Sequence, residues 1–229
     1  MWETLQEWDK TLFLLLNGVH HPYWDYFASI FTGKEAWGLM YASILYVLCK
    51  NFDWKTVVLT TLAFALVIVV ADQLCSSVLR PCFARPRPSR EPGIMEIVHL
   101  INGRRGGAFG FPSAHAANTA ALATFIILFF RRRWLSAFFI AWTLATCYTR
   151  VYVGVHYPGD LLAGIVTGVA SGAAVYGIYR LALRLARPAA ARSLVERPAG
   201  MAHPLLVANI GLLTVLVIGL YSLFLWQTA

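Results

Sequence analysis

Long apolar runs dominate the pattern of this 229-residue chain. Six of them are close to the ~20 residues that a helix needs to cross a bilayer. They span residues 35–51, 55–79, 112–130, 134–150, 159–180 and 203–226. Most connections are short, but a polar segment over residues 80–111 separates the second run from the third. The pattern predicts an all-α, polytopic membrane protein with six transmembrane helices.

The first 33 residues have a different pattern. Apolar side chains recur there at helical spacing, with charged residues between them, at Trp2, Leu5, Trp8 and Leu12. This spacing predicts an amphipathic helix that lies in the membrane interface. We therefore expect one membrane domain over residues 1–229, made of interfacial helices (1–33), a core (35–180) and a final transmembrane helix (203–226).

The composition excludes an ordinary soluble protein. Hydrophobic residues make up 59% of the chain and charged residues 13%, against about a quarter charged in soluble domains. The net charge is +8, and basic residues concentrate at residues 131–133 and at Arg180, Arg184, Arg187, Arg192 and Arg197. Such clusters are typical of cytoplasmic connections. We expect the lipid bilayer as a partner and no nucleic acid.

The alternation of the runs decides which of their ends share a membrane face. The end of the second, the start of the third, the end of the fourth and the start of the fifth lie together, opposite the arginine-rich connections. Because such connections stay in the cytoplasm, these four ends and both termini are predicted to face outwards. In a bacterial inner membrane that side is the periplasm.

Three polar clusters occupy those same ends, at residues 80–88, 111–115 and 149–160. Their side chains include three guanidinium groups, two imidazoles, one carboxylate and one hydroxyl, from Arg80, Arg87, Ser113, His115, Arg150, His156 and Asp160. A guanidinium presents a fork of donors that matches phosphate oxygens. The clusters are therefore predicted to converge on a multiply charged anion.

The spacing within the clusters indicates a nucleophile. Pro112 suits the first turn of a helix, which would turn Ser113 and free N–H groups towards an anion. His156 and Asp160 are four residues apart and can meet on one helix face. The carboxylate then determines which ring nitrogen is free to attack, and His115 can donate the proton that the leaving group needs.

Metal chemistry is not expected at this site. Mg²⁺ prefers several oxygen ligands, and the motifs offer no second carboxylate beside Asp160. We therefore predict neither a metal nor a cofactor.

These motifs resemble the three-part signature of the type 2 phosphatidic acid phosphatase family, which shares its site with vanadium haloperoxidases. The matching segments are Arg80-x6-Arg87-Pro88, Pro112-Ser-Ala-His115 and Thr149-Arg150-x5-His156-x3-Asp160. Three positions depart from the family pattern: Arg80 replaces the usual Lys, Ala114 the usual Gly, and Thr149 the usual Ser.

The resemblance implies a metal-independent lipid phosphatase. His156 would attack phosphorus and form a phosphohistidine, Asp160 would stabilise the imidazolium, and His115 would protonate the leaving oxygen and then activate water. The phosphate oxygens would be held by Arg80, Arg87, Ser113 and Arg150. Supporting roles are assigned to Ala114, Asp72 and Thr149, with Asp72 expected either to pair with a helix or to orient Arg80.

Several alternatives stay open from the sequence. The substrate can be undecaprenyl diphosphate, phosphatidylglycerophosphate, phosphatidate or a lipid A phosphate. A phosphotransferase would use the same covalent intermediate and an alcohol acceptor, and a lipid binder or transporter would use no chemistry. Ordinary surface or headgroup contact is expected for Arg85, Arg90, Arg104 and Arg105. The oligomeric state is not determined.

Overall fold

The computed structural model describes residues 2–188, 191 and 201–229, and these residues form helices and no sheet. The long helices are α1 (Trp2–Asn17), α2 (Pro22–Phe31), α3 (Gly38–Asn51), α4 (Trp54–Gln73), α6 (Ala114–Phe130), α7 (Arg133–Tyr152), α8 (Pro158–Ala186) and α9 (Leu206–Thr228). A short α5 (Arg80–Phe83) follows α4. Arg192 and Arg197 of the predicted cytoplasmic connection lie outside the described residues.

The six predicted runs correspond to α3, the continuous segment from α4 to α5, α6, α7, α8 and α9. Three of these helices are long and apolar enough to cross a membrane: Trp54–Phe83, Pro158–Ala186 and Leu206–Thr228. Helix α3 has 14 residues and α6 has 17, so at ~1.5 Å per residue they are shorter than a ~30 Å hydrocarbon core. The all-helical membrane class is confirmed, and six spans stay a prediction.

Helix α1 buries one apolar and one polar side chain against the rest of the protein. Leu5, Trp8 and Leu15 are exposed, whereas Phe13 is buried against Tyr157, with ring centroids 5.3 Å apart. The Asn17 side chain is also buried and donates to the carbonyl oxygens of Val151 and Tyr152. Packing therefore holds α1 against the loops that precede α8. Its position in a membrane interface stays a prediction.

At its C-terminal end, α4 changes from an α-helix to a wider π-helix just before the first polar cluster. Residues Leu74–Leu79 form a π-helical segment, which continues into α5 at Arg80. Such widened turns are rare and often occur at functional sites. The π-helical turn therefore ends directly before Arg80, the first residue of the first polar cluster.

A stripe of glycines lets α8 approach α6 closely. The residues are spaced four apart, at Gly164, Gly168 and Gly172, and each lies against the α6 backbone. A Cβ at Gly168 would lie only 2.3 Å from the carbonyl oxygen of Ala117. Small residues at this spacing allow tight helix packing in membranes. The stripe holds the starts of α6 and α8, which carry two of the polar clusters, next to each other.

Candidate active site

The three polar clusters converge on one cavity of about 840 Å³, here called the central cavity. Its lining includes residues from all three motifs: Arg80, Arg87, Ala114, His115, Arg150 and His156. Both imidazoles therefore face the same space. Asp160 is fully buried behind His156.

The hydrogen bonds of His156 define its tautomer. Its Nδ1 lies 3.3 Å from Oδ2 of Asp160, and its Nε2 lies 2.9 Å from Nη1 of Arg87. A guanidinium can only donate, so Nε2 must carry the lone pair and Nδ1 the hydrogen. The hydrogen on Nδ1 is directed at the carboxylate. Nε2 is thus the unprotonated nitrogen, on the side of the arginines.

The guanidinium groups of Arg80, Arg87 and Arg150 are held by neutral acceptors. Arg80 donates to the carbonyl oxygen of Pro112 (3.1 Å), Arg87 to that of Val155 (2.9 Å) and Arg150 to the Thr32 hydroxyl (2.9 Å). Because no carboxylate neutralises them through these bonds, their charge stays available to an anion. The Nε atoms of all three are also buried without a partner among the described residues, and buried donors normally have one.

The buried site favours the neutral form of His156. Burial is the largest cause that lowers its pKa well below 6.5, followed by the positive charges of Arg87, Arg150 and Arg80. Burial likewise lowers the pKa of Arg87 to about 10, with the charge of Arg80 adding to the shift. At neutral pH the site therefore combines cationic guanidiniums with an uncharged imidazole.

Ser113 is the N-cap residue of α6, so it lies just before the first helical turn. The helix begins at Ala114, and the Ser113 hydroxyl accepts from the N–H of Ala116 at 3.5 Å. The expectation that Pro112 occupies the first helical turn is wrong, because it precedes the cap. The Ser113 N–H donates to the backbone oxygen of Asp160 at 3.0 Å, which ties the starts of α6 and α8 together.

The three supporting candidates occupy different environments. Ala114 lines the central cavity. Thr149 is buried and donates to the carbonyl oxygen of Thr146 at 2.7 Å, so its hydroxyl serves its own helix. Asp72 also lines the cavity, but it accepts from Asn118 at 3.0 Å. Its hydrogen-bond partner is thus on α6, and is not Arg80.

Sequence reasoning missed three residues around Asp160. Arg85, assigned to the surface, is largely buried and donates to Asp160 and to Asp9 of α1. Gly110 lies so close that a Cβ there would be 2.8 Å from Oδ2 of Asp160. Little in the sequence distinguishes these residues. Arg85 is one of several arginines in the long loop, and Asp9 is one of several charged residues in an amphipathic helix.

An apolar groove between α3 and α4 adjoins the central cavity. This side groove has a volume of about 260 Å³ and is lined by Ile44, Leu45, Leu48, Thr61, Phe64 and Ala65. It shares Tyr41, Ile68 and Leu122 with the central cavity. An apolar surface therefore lies next to the charged groups of the central cavity.

The described residues contain no group of three or more His, Cys, Asp or Glu side chains placed to hold a metal ion. Metal independence itself stays a prediction.

Comparisons with known proteins agree with the geometry. A family model described as the PAP2 superfamily matches residues 61–184. The chain is 48% identical over 225 residues to the lipid A 4'-phosphatase of Bacteroides thetaiotaomicron, which covers 97% of this chain and 99% of that protein. It is 36% identical over 182 residues to the lipid A 4'-phosphatase of Porphyromonas gingivalis, covering 77% and 75%. The crystal structure of Aquifex aeolicus LpxE matches with a TM-score of 0.57 and 26% identity, over 73% of this chain and 93% of that one.

Proposed function

This chain belongs to the PAP2 superfamily and is a membrane lipid phosphatase, and from that premise we propose that it hydrolyses a phosphate monoester of lipid A through a phosphohistidine on His156. The observation that carries the mechanism is the hydrogen bonding of His156. Its Nδ1–H donates to Asp160, which leaves Nε2 unprotonated among three arginines.

In the first step Nε2 of His156 attacks phosphorus in line. A P–N bond forms while the bond between phosphorus and the lipid oxygen breaks, and His115 gives its proton to that oxygen. The imidazole becomes cationic, and Asp160 stabilises this charge. Arg80, Arg87, Arg150 and the Ser113 hydroxyl hold the other phosphate oxygens, where preorganised charge lowers the barrier most.

In the second step water replaces the histidine. His115, now neutral, takes a proton from the water, which attacks phosphorus as the P–N bond breaks. Inorganic phosphate leaves, and His156 regains its free Nε2. No step requires a metal ion, because the arginines supply the positive charge.

Lipid A is the favoured substrate for two reasons. Two relatives that share much of this chain are named lipid A 4'-phosphatases. The side groove next to the charged cavity also suits an acyl chain attached to a phosphorylated headgroup. Undecaprenyl diphosphate, phosphatidylglycerophosphate and phosphatidate are the competing substrates.

The membrane placement is part of the proposal. Residues 35–180 form the catalytic core, 1–33 the interfacial helices and 203–226 the last of six spans. The arginine-rich turn at residues 131–133 supports a cytoplasmic position for the opposite end. The site then faces the periplasm from the inner membrane.

A substrate panel tests the reaction. The purified protein in detergent, with EDTA present, is expected to release more phosphate from lipid A than from the three competing lipids. His156→Ala should lower the rate by about 10⁴-fold or more. Turnover that survives this substitution, or that EDTA abolishes, would exclude the mechanism.

A second experiment tests the covalent intermediate. His115→Ala should slow its hydrolysis, whereas a good leaving group such as 4-nitrophenolate needs little protonation. With 4-nitrophenyl phosphate, this variant should release one 4-nitrophenolate per enzyme in a burst and accumulate phosphohistidine. A transfer of phosphate to added alcohols in preference to water would identify a phosphotransferase instead.

A further inference from the structure

The two oxygens of the Asp160 carboxylate have different partners. Oδ2 lies 3.3 Å from Nδ1 of His156 and accepts from the Tyr157 N–H at 3.1 Å. Oδ1 accepts from Nη1 of Arg85 at 3.0 Å. One oxygen thus serves the histidine, and the other is bound to a cation.

Arg85 differs from the other arginines of the site. Arg80, Arg87 and Arg150 line the central cavity, whereas Arg85 lines a separate outer cavity together with Trp8, Asp9 and Phe111. Its guanidinium lies over the Tyr157 ring, 4.1 Å from the centroid. The Arg85 charge therefore acts on Asp160 from the side opposite the central cavity, and does not face the space where a phosphate would bind.

Asp9 holds Arg85 in this position. Its Oδ2 accepts from Nη1 of Arg85 at 2.7 Å, and its Oδ1 accepts from the Gly159 N–H at 2.7 Å. Gly159 lies in the first turn of α8, next to Asp160. The side chains of Asp9 and Arg85 are only 14% and 16% exposed. One carboxylate of α1 thus fixes both the arginine and the start of the helix that carries Asp160.

We propose that Asp9 and Arg85 are positioning residues of the active site, acting in the order Asp9, Arg85, Asp160, His156. Negative and positive charges alternate along this series of four side chains. The series ends on the His156 imidazole, which becomes cationic when it attacks phosphorus. Groups that orient a reactive group from behind often change its activity by about 10–100-fold. The inference rests on the proposed role of the His156–Asp160 pair.

The charge balance explains why both members are needed. Without Arg85, two carboxylates would face each other in a largely buried site, and one would bind a proton. Without Asp9, the Arg85 guanidinium would lose its second anchor and could swing away from Asp160. Asp9 also lies outside residues 61–184, the part matched by the family model. The N-terminal helix thereby completes an active site that the family core does not complete alone.

The chain offers a matched control for simple anchoring of α1. Lys10, the next residue, forms an ion pair with Glu91 at 3.0 Å and so also ties α1 to the long loop. Among the described residues, the Lys10 ammonium pairs with Glu7 and Glu91 and not with Asp160 or Asp9. Lys10→Met removes an anchor of α1 and leaves the Asp9–Arg85–Asp160 contacts in place.

The experiment compares kcat, KM and Tm for Arg85→Gln, Asp9→Asn, the double variant and Lys10→Met. We expect Arg85→Gln to lower kcat by about 100-fold and Asp9→Asn by about 10-fold, with KM within about threefold. The double variant should be no slower than Arg85→Gln, because Asp9 acts through Arg85. Lys10→Met should lower Tm but keep kcat. Arg85→Lys, which retains the charge, should recover part of the rate.

Other outcomes overturn the proposal. If Arg85→Gln and Asp9→Asn lower Tm while kcat is retained, the residues only anchor α1. If KM rises and kcat is unchanged, Arg85 binds substrate. If Lys10→Met loses as much kcat as Asp9→Asn, docking of the helix is what matters. If Arg85→Gln does not fold, kcat, KM and Tm are measured for Arg85→Lys and Asp9→Glu instead. Activity of His156→Ala would instead contradict the proposed function, so the two failures are distinguishable.

Discussion

At the scale of single residues, the reactivity proposed for Nε2 of His156 depends on the groups that surround the ring. The neighbouring carboxylate orients the ring, while burial and three guanidiniums keep it uncharged. An exposed histidine would be partly protonated near neutral pH. The site therefore presents a free lone pair under conditions in which the same side chain in water would be partly blocked.

This environment predicts the acidic side of the pH profile. In the proposed mechanism the neutral His156 imidazole is the active form, so activity is lost as the pH falls through its pKa in the folded enzyme. Because that pKa is lowered well below 6.5, the acidic limb of kcat/KM, which reports the free enzyme, should lie below pH 6.5. Arg150→Gln removes one positive charge and should move the limb upwards. An acidic limb at or above pH 6.5 in the wild type would contradict this prediction.

Gly110 provides a second prediction at this scale. A Cβ there would lie 2.8 Å from Oδ2 of Asp160 and 3.5 Å from Nδ1 of His156, so Gly110→Ala should push the pair apart. We expect kcat to fall by about 10–100-fold, as for other small displacements of catalytic groups. Gly107→Ala is the control, because nothing lies within 4 Å of its Cβ position. Equal rates for the two variants would show that the pair tolerates the displacement.

At the scale of helices, the site depends on how closely α6 and α8 pack. Helix α6 carries Ser113 at its cap and His115 in its first turn, and α8 carries Asp160. The glycine stripe brings their backbones together, and the Ser113 N–H bonds to the Asp160 carbonyl oxygen. Catalytic geometry and helix packing are thus properties of the same interface.

Two glycines of α8 should respond in opposite directions to alanine. Gly168→Ala would place a Cβ 2.3 Å from the Ala117 oxygen, and overpacking of this kind costs about 1–3 kcal/mol. Gly177→Ala meets nothing within 4 Å and should stabilise the helix by roughly 0.5–1 kcal/mol. Thermal unfolding in detergent should give a lower Tm for the first and a higher Tm for the second. A raised Tm for Gly168→Ala would show that the helices separate without cost.

At the scale of the whole molecule, a charged cavity and an apolar groove lie next to each other. The central cavity carries the arginines and histidines, and the side groove between α3 and α4 begins where the two share Tyr41, Ile68 and Leu122. In the proposed function, a phosphorylated headgroup lies in the cavity and an acyl chain of the same lipid in the groove. This arrangement accounts for a phosphatase built almost entirely from apolar helices.

The side groove predicts a difference between lipid and soluble substrates. Ala65→Trp should fill the groove, and we expect lipid A turnover to fall at least about tenfold, a loss of ~1.4 kcal/mol of binding to the transition state. Hydrolysis of 4-nitrophenyl phosphate should be unchanged, since it has no acyl chain. Leu66→Trp is the control, because Leu66 is exposed and outside the groove. A parallel loss for both substrates would mean that the groove is not the lipid path.

The amino-acid sequence was enough to predict the helices and the polar residues that meet at the central cavity. Apolar runs predict helices because burial and backbone hydrogen bonding are local requirements in a bilayer, and the observed starts of α6 to α9 lie within three residues of those predicted. Motif spacing also predicted that His156 and Asp160, four residues apart, would meet, and they do so although α8 begins between them at Pro158.

The contacts between these residues and groups far away in the sequence became visible only in the folded structure. The bond from Arg85 to Asp9 joins residues 76 positions apart, and the bond from Asp9 to Gly159 joins residues 150 apart. No local pattern shows that Asp9 of α1 turns towards Arg85, that Asp72 meets Asn118, or that Gly110 lies against the His156–Asp160 pair. Helix periodicity defines faces along one element, but the partner of each face is selected by how all the helices pack together.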